Sequence, residues 1–91
     1  METGLASTRV AAFRELAEDR VLLMEHLGAA IKYVNEGREL LRRQRDRIYF
    51  LGQNGRDTAV AELVLARLVA SQALRVTDRE KFEDLLAAVS G

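Results

Sequence analysis

Ninety-one residues make one domain at most, and a chain this short buries a smaller share of its surface than a larger one does. Its 14 basic and 14 acidic residues cancel, so no global field draws it to nucleic acid or an anionic membrane. With no cysteine and a single histidine it has neither a disulfide nor a metal-ligand set to staple a small core, which leaves self-association as the stabilising device.

The first residues, Met1 to Thr8, show no basic segment followed by an apolar run, and stretches such as Val21 to Met24 are far too short for a signal core or a membrane span. A soluble, cytoplasmic chain without membrane contact is expected, with residues 1–7 lacking fixed structure. Proline is absent throughout, so nothing forbids long helices. From Phe13 the apolar residues fall on a three-four alternation: Leu16, Leu23, Leu27, Ala30, Val34, Leu41, Ile48 and Leu51, interrupted by Arg20, Gly37 and Gln44. The spacing predicts a first helix over 8–53, with a kink or corner possible at Gly28.

At Asn54-Gly55-Arg56-Asp57 the chemistry changes to that of a turn. Gly55 can take the left-handed conformation that closes a helix, and Asp57 can cap the next one by accepting from its free amides. A second seam then follows over 58–89, through Thr58, Ala61, Leu65, Leu68, Phe82, Leu86 and Val89, with Gln72, Arg75 and Arg79 as polar interruptions. Thr77-Asp78-Arg79-Glu80 has capping-box spacing and marks a possible break at 77. Folding about the turn sets Ile48 opposite Ala61, Leu41 opposite Leu68, Leu27 opposite Phe82 and Leu23 opposite Leu86. It also sets Arg45 near Glu62, Gln44 near Leu65 and Gln72 near Gly37. The fold expected for residues 1–91 is a single all-α domain, an antiparallel helical hairpin of coiled-coil type that dimerises into a four-helix bundle. A monomeric three-helix bundle hinged at Gly28 is the alternative.

Two surfaces are candidates for function. Val60, Leu63, Val64 and Val69 make one stretch of the second helix apolar on most sides, and a helix of that kind is expected to be covered on more than one face. With Phe13 and Leu16 on the overhang of the longer first helix, they form the candidate interface for a second copy or another helical protein. Arg38, Arg42, Arg43, Arg45 and Arg47 form a candidate anion or nucleic-acid patch. Glu36, Glu39 and Asp46 lie among them and Glu39 precedes Arg43 by four residues, so a salt-bridged surface is the ordinary reading and nucleic acid the less favoured partner. Tyr49 and Phe50 are expected to pack near the turn rather than stack on bases.

His26 lacks companions for a metal site and reads as a solvated or helix-end residue. Arg20, Arg75 and Arg79 stand where the seam calls for apolar residues. Three such arginines can hold a small dianion, as in small helical chorismate mutases, but the first helix lacks that family's pattern. No activated nucleophile, acid–base pair or phosphate loop is visible, so no catalytic residue, cofactor or small-molecule substrate is predicted. The expected function is a non-catalytic protein–protein interaction or oligomerisation module, with a nucleic-acid or phosphate-binding hairpin as the alternative.

Over Val34 to Leu74 the chain resembles a group of small uncharacterised proteobacterial proteins built as a helix, a Gly-x-Asp-Thr turn and a second helix. Glu36-Gly37, Arg43-Gln44-Arg45, Ile48, Leu51, Gly55-Arg56-Asp57-Thr58, Ala61-Glu62 and Leu65 carry the resemblance. It implies the hairpin and a bacterial source, and it supplies no activity and no site.

Overall fold

A computed structural model of the chain describes residues 2–90, with side chains from residue 14 onward. Two helices, α1 (Glu2–Gln53) and α2 (Ala59–Ser90), lie antiparallel in a hairpin measuring 81 × 17 × 14 Å. At 1.5 Å per residue α1 spans about 78 Å, so it accounts for the long axis without bending. The expected corner at Gly28 is not taken, and the three-helix alternative falls with it: the helix continues through the glycine, where one missing Cβ costs propensity but removes no hydrogen bond. Nor does α2 break at Thr77. The Thr77 hydroxyl donates back to the Ala73 carbonyl (3.0 Å) instead of capping the amides that follow, which keeps the turn helical. α1 is helical from Glu2, earlier than the start expected at residue 8.

The turn behaves as its residues dictate. Gly55 has φ +63°, while the Gly55 amide donates to the Gly52 carbonyl (3.1 Å) and the Arg56 amide to the Leu51 carbonyl (2.9 Å). That pair of bonds is the Schellman closure, which satisfies carbonyls that the end of α1 leaves without partners. Asp57 Oδ1 then accepts from the Ala59 amide (2.9 Å) and caps α2.

The seam positions read from the sequence face each other. Val34 is 1% exposed, Ala30 and Ala61 are buried, and Leu23, Leu27, Leu41, Ile48, Leu51, Leu65, Leu68, Phe82, Leu86 and Val89 are half-buried. This is a thin core. Full burial of a valine or leucine stabilises by about 1.5–3 kcal/mol, yet of the three buried apolar side chains among the described residues two are alanines.

Two glutamines bind the helices across the seam. Gln44 Nε2 donates to the Ala61 carbonyl (2.8 Å), and the buried Gln72 donates through Nε2 to the Val34 carbonyl (2.9 Å). Gly37 leaves room for this arrangement, since a Cβ there would occupy the space of Gln72 Oε1 and displace the side-chain amide. Gln72 Oε1 itself has no hydrogen-bond partner among the described residues. The seam glutamines are thus engaged within one hairpin, each on a backbone carbonyl of the facing helix.

Candidate functional site

The arginine-rich stretch divides in two. Arg42 is held by carboxylates one turn to either side, through Glu39 (2.6 Å) and Asp46 (2.8 Å), and Arg43 shares Glu39 (3.1 Å). The spacings of three and four residues put these side chains on one helix face. The Arg42 guanidinium, assisted by that of Arg43, holds the Glu39 carboxyl well below the ordinary range, at about 2, and Glu39 in turn raises Arg42. Arg38, Arg45 and Arg47 make no ion pair among the described residues. The Arg45–Glu62 bridge expected from the register does not form.

The seam arginines do not converge on one point. Arg79 Nε lies 3.5 Å from Glu83 Oε1, near enough for attraction but long for a hydrogen bond, and the buried Nε has no hydrogen-bond partner among the described residues. Arg75 lines a cavity of about 160 Å³ with His26, Ala29, Ala30, Tyr33, Asp78 and Phe82. In the hairpin register Arg79 stands opposite Ala30, which places the exposed Arg20 about 15 Å further along the axis. His26 is exposed, as expected of a solvated residue, and its ring stacks on Phe82, with centroids 5.5 Å apart and planes inclined by 13°. Among the described residues no group of three or more His, Cys, Asp or Glu is placed to hold a metal ion, and no helix is long and apolar enough to cross a membrane.

The candidate interface residues are exposed where their side chains are described. Val60 is 73% and Leu63 67% exposed, and Leu16, Val64 and Val69 are also open. The Phe13 side chain lies outside those described. They do not make one patch. Val60 and Val64 line a groove beside the turn with Gln44, Arg47, Leu51 and Arg56. Leu63 lies on the back of α2 and Val69 on the opposite flank of the seam, as their helical spacing requires. Leu16 is at the other end of the rod, about 50 Å from Val60 along the axis.

Several apolar side chains outside the predicted set are equally open: Leu22, Met24, Tyr33, Leu40, Leu74 and Leu85. Leu22, Tyr33 and Leu40 share a flank of α1, and Val60, Val64, Leu74 and Leu85 a flank of α2, by the same three-four spacing that marks the seam. The cavity that joins Ala29 and Tyr33 to Asp78, and the groove that joins Arg47 to Val60, put those two flanks on one side of the hairpin. That second register was present in the sequence, masked by the stronger seam beside it. Tyr49 and Phe50, expected to pack near the turn, are 71% and 65% exposed, because Ile48 and Leu51 fill the seam there and the short turn covers nothing else.

No protein-family model matches the chain, and searches of curated proteins and of solved structures found no match either.

Proposed function

We propose that this chain is a non-catalytic, cytoplasmic protein–protein interaction and oligomerisation module of bacterial origin, related to the small proteobacterial hairpin proteins through its Gly55-Arg56-Asp57-Thr58 turn, and that its first partner is a second copy of itself in a four-helix bundle of coiled-coil type. The observation that carries this reading is the disproportion between a core of Ala30, Val34 and Ala61 and the large apolar side chains left open on both helices. Full burial of a wholly exposed side chain of this kind stabilises by about 1.5–3 kcal/mol, and these are already partly covered, so many of them together are needed to offset the entropic cost of association. The non-catalytic part of the reading is supported by the separation of Arg20 from Arg75 and Arg79, which leaves no common anion cradle.

Light scattering on a size-exclusion column, at low and high salt with absorbance at two wavelengths, tests it. A salt-tolerant dimer free of nucleic acid is the expected result. A monomer that stays monomeric at millimolar concentration would sink the reading.

One observation favours a second reading, in which the hairpin binds nucleic acid or phosphate: Arg38, Arg45 and Arg47 project from the paired cluster without carboxylate partners among the described residues. Fluorescence anisotropy with a labelled duplex between 50 and 200 mM salt decides it. Phosphate contacts weaken steeply over that range, and Arg38→Glu with Arg47→Glu abolishes binding if those contacts are real. Binding absent at low salt rejects it.

A further inference from the structure

We propose that the second copy docks antiparallel, the turn end of one hairpin lying against the open end of the other. This geometry deepens the oligomerisation reading above and rests on it.

The two ends of the rod carry opposite net charge. Residues 38–69, which form the turn end, carry seven arginines and four acidic residues, a net +3. The described residues of the open end, 14–37 and 70–90, carry six basic and nine acidic residues, a net −3. In the linear sequence these are three alternating blocks. The hairpin brings the first and last together, so a neutral chain becomes a rod with one positive and one negative end. A parallel pair sets like charge on like at both ends, whereas an antiparallel pair sets opposite charge on opposite at both, and complementary potentials of this kind choose orientation and register.

The apolar surface points the same way. Val60 and Val64 are exposed at the turn end, and Leu22 and Leu85 at the open end, all on the flank that the two helices share. Within one rod the two groups stand about 35 Å apart along the axis and cannot cover each other. A twofold axis across the middle of the two-helix segment, near residue 35 of α1, brings one group against the other, and symmetry repeats the contact.

The absence of cysteine lets a single introduced thiol carry a unique probe. A nitroxide on Gln53→Cys, an exposed site at the end of α1, reports the separation of the two turns by pulsed electron resonance, with the mass measured on the same sample. The antiparallel dimer predicts a separation beyond about 45 Å, the length of α2 at the helical rise. A dimer with labels within about 25 Å, two helix diameters, would be parallel and would overturn this geometry while leaving the oligomerisation reading standing. A monomer overturns both. A mass that climbs continuously with concentration shows an open head-to-tail chain and overturns the closed pair.

An independent test reverses charge. Arg47→Glu with Arg67→Glu takes the turn end from +3 to −1, and the antiparallel dimer then weakens by about tenfold at low salt, less at high salt. Mixing with Glu18→Arg/Asp78→Arg chains restores it. A parallel dimer would instead tighten, because the change relieves repulsion between its two turns. Circular dichroism checks that each variant stays helical, and the label measurement, which leaves every charge in place, decides alone should a charge variant unfold.

Discussion

Gln72 Oε1 lies in the space that a side chain at residue 37 would fill: a Cβ built on Gly37 would overlap that oxygen and approach Gln72 Cδ to 2.7 Å and an Arg75 guanidinium nitrogen to 2.9 Å. The glycine is therefore a socket rather than a hinge. It lets the facing glutamine sit deep enough for Nε2 to reach the Val34 carbonyl.

Gly37→Ala is expected to destabilise the hairpin by about 1–2 kcal/mol. The displaced glutamine loses a hydrogen bond and leaves buried polar groups unpaired, which outweighs the gain in helix propensity of somewhat under about 1 kcal/mol. Gly28→Ala meets nothing within 4 Å and should stabilise by about 0.5–1 kcal/mol. Urea unfolding of both variants checks the pair, and effects of the same sign would contradict the socket.

Because Gln72 Oε1 is buried without a partner among the described residues, an unbranched apolar side chain of similar length should be tolerated there. Gln72→Met is expected to lie within about 1 kcal/mol of the parent or to be more stable, since replacing an imperfectly satisfied polar group by an isosteric apolar one is close to neutral. A loss of more than about 2 kcal/mol in thermal unfolding would mean that the Val34 bond outweighs the orphaned oxygen.

The turn makes a separate prediction. Gly55→Ala forces a Cβ into the left-handed region and should cost about 1 kcal/mol, and Asp57→Ala removes the α2 cap for a similar loss. Asp57→Asn retains most of that stability, because the accepting oxygen remains. Melting temperatures of the three variants are sufficient to test this.

Glu39 gives the pH dependence. Its carboxyl is held at about 2 by Arg42 and Arg43, below its ordinary 4.5, so the unfolded chain binds the proton more readily than the folded one. Its contribution is therefore fully present above about pH 4.5 and is lost as pH falls toward 2. Because the group is exposed, salt screens the effect. A carboxyl titration followed by NMR should find the depressed value at low salt and its partial return in 1 M NaCl, and Glu39→Gln should flatten that part of the stability profile. An ordinary titration point at low salt would refute the ion-pair geometry.

The seam was legible residue by residue, because a three-four alternation of Leu, Ile, Val and Ala has only one way to face a facing helix. The Gly55 closure and the Asp57 cap were legible for a similar reason: each is a local backbone demand that few residues meet. Gly28 and Thr77 misled because both are permissive. A glycine tolerates a bend without requiring one, and a threonine hydroxyl satisfied by the carbonyl four residues back needs no cap. Tyr49 and Phe50 misled because aromatic residues beside a turn suggest burial, whereas a two-helix hairpin has no third element to bury them.

Local chemistry by itself determined the helices, their turn and the faces they share. Only the tertiary structure decided that the seam glutamines bond to facing carbonyls, that Gly37 is the socket of Gln72, that Arg45 and Glu62 do not pair, and that two acidic segments distant in sequence gather at one end of the rod. Periodicity specifies an angle around a helix axis, and capping chemistry specifies where a helix stops. Neither specifies how deep one side chain sits against another, or which charges two antiparallel helices carry to the same end.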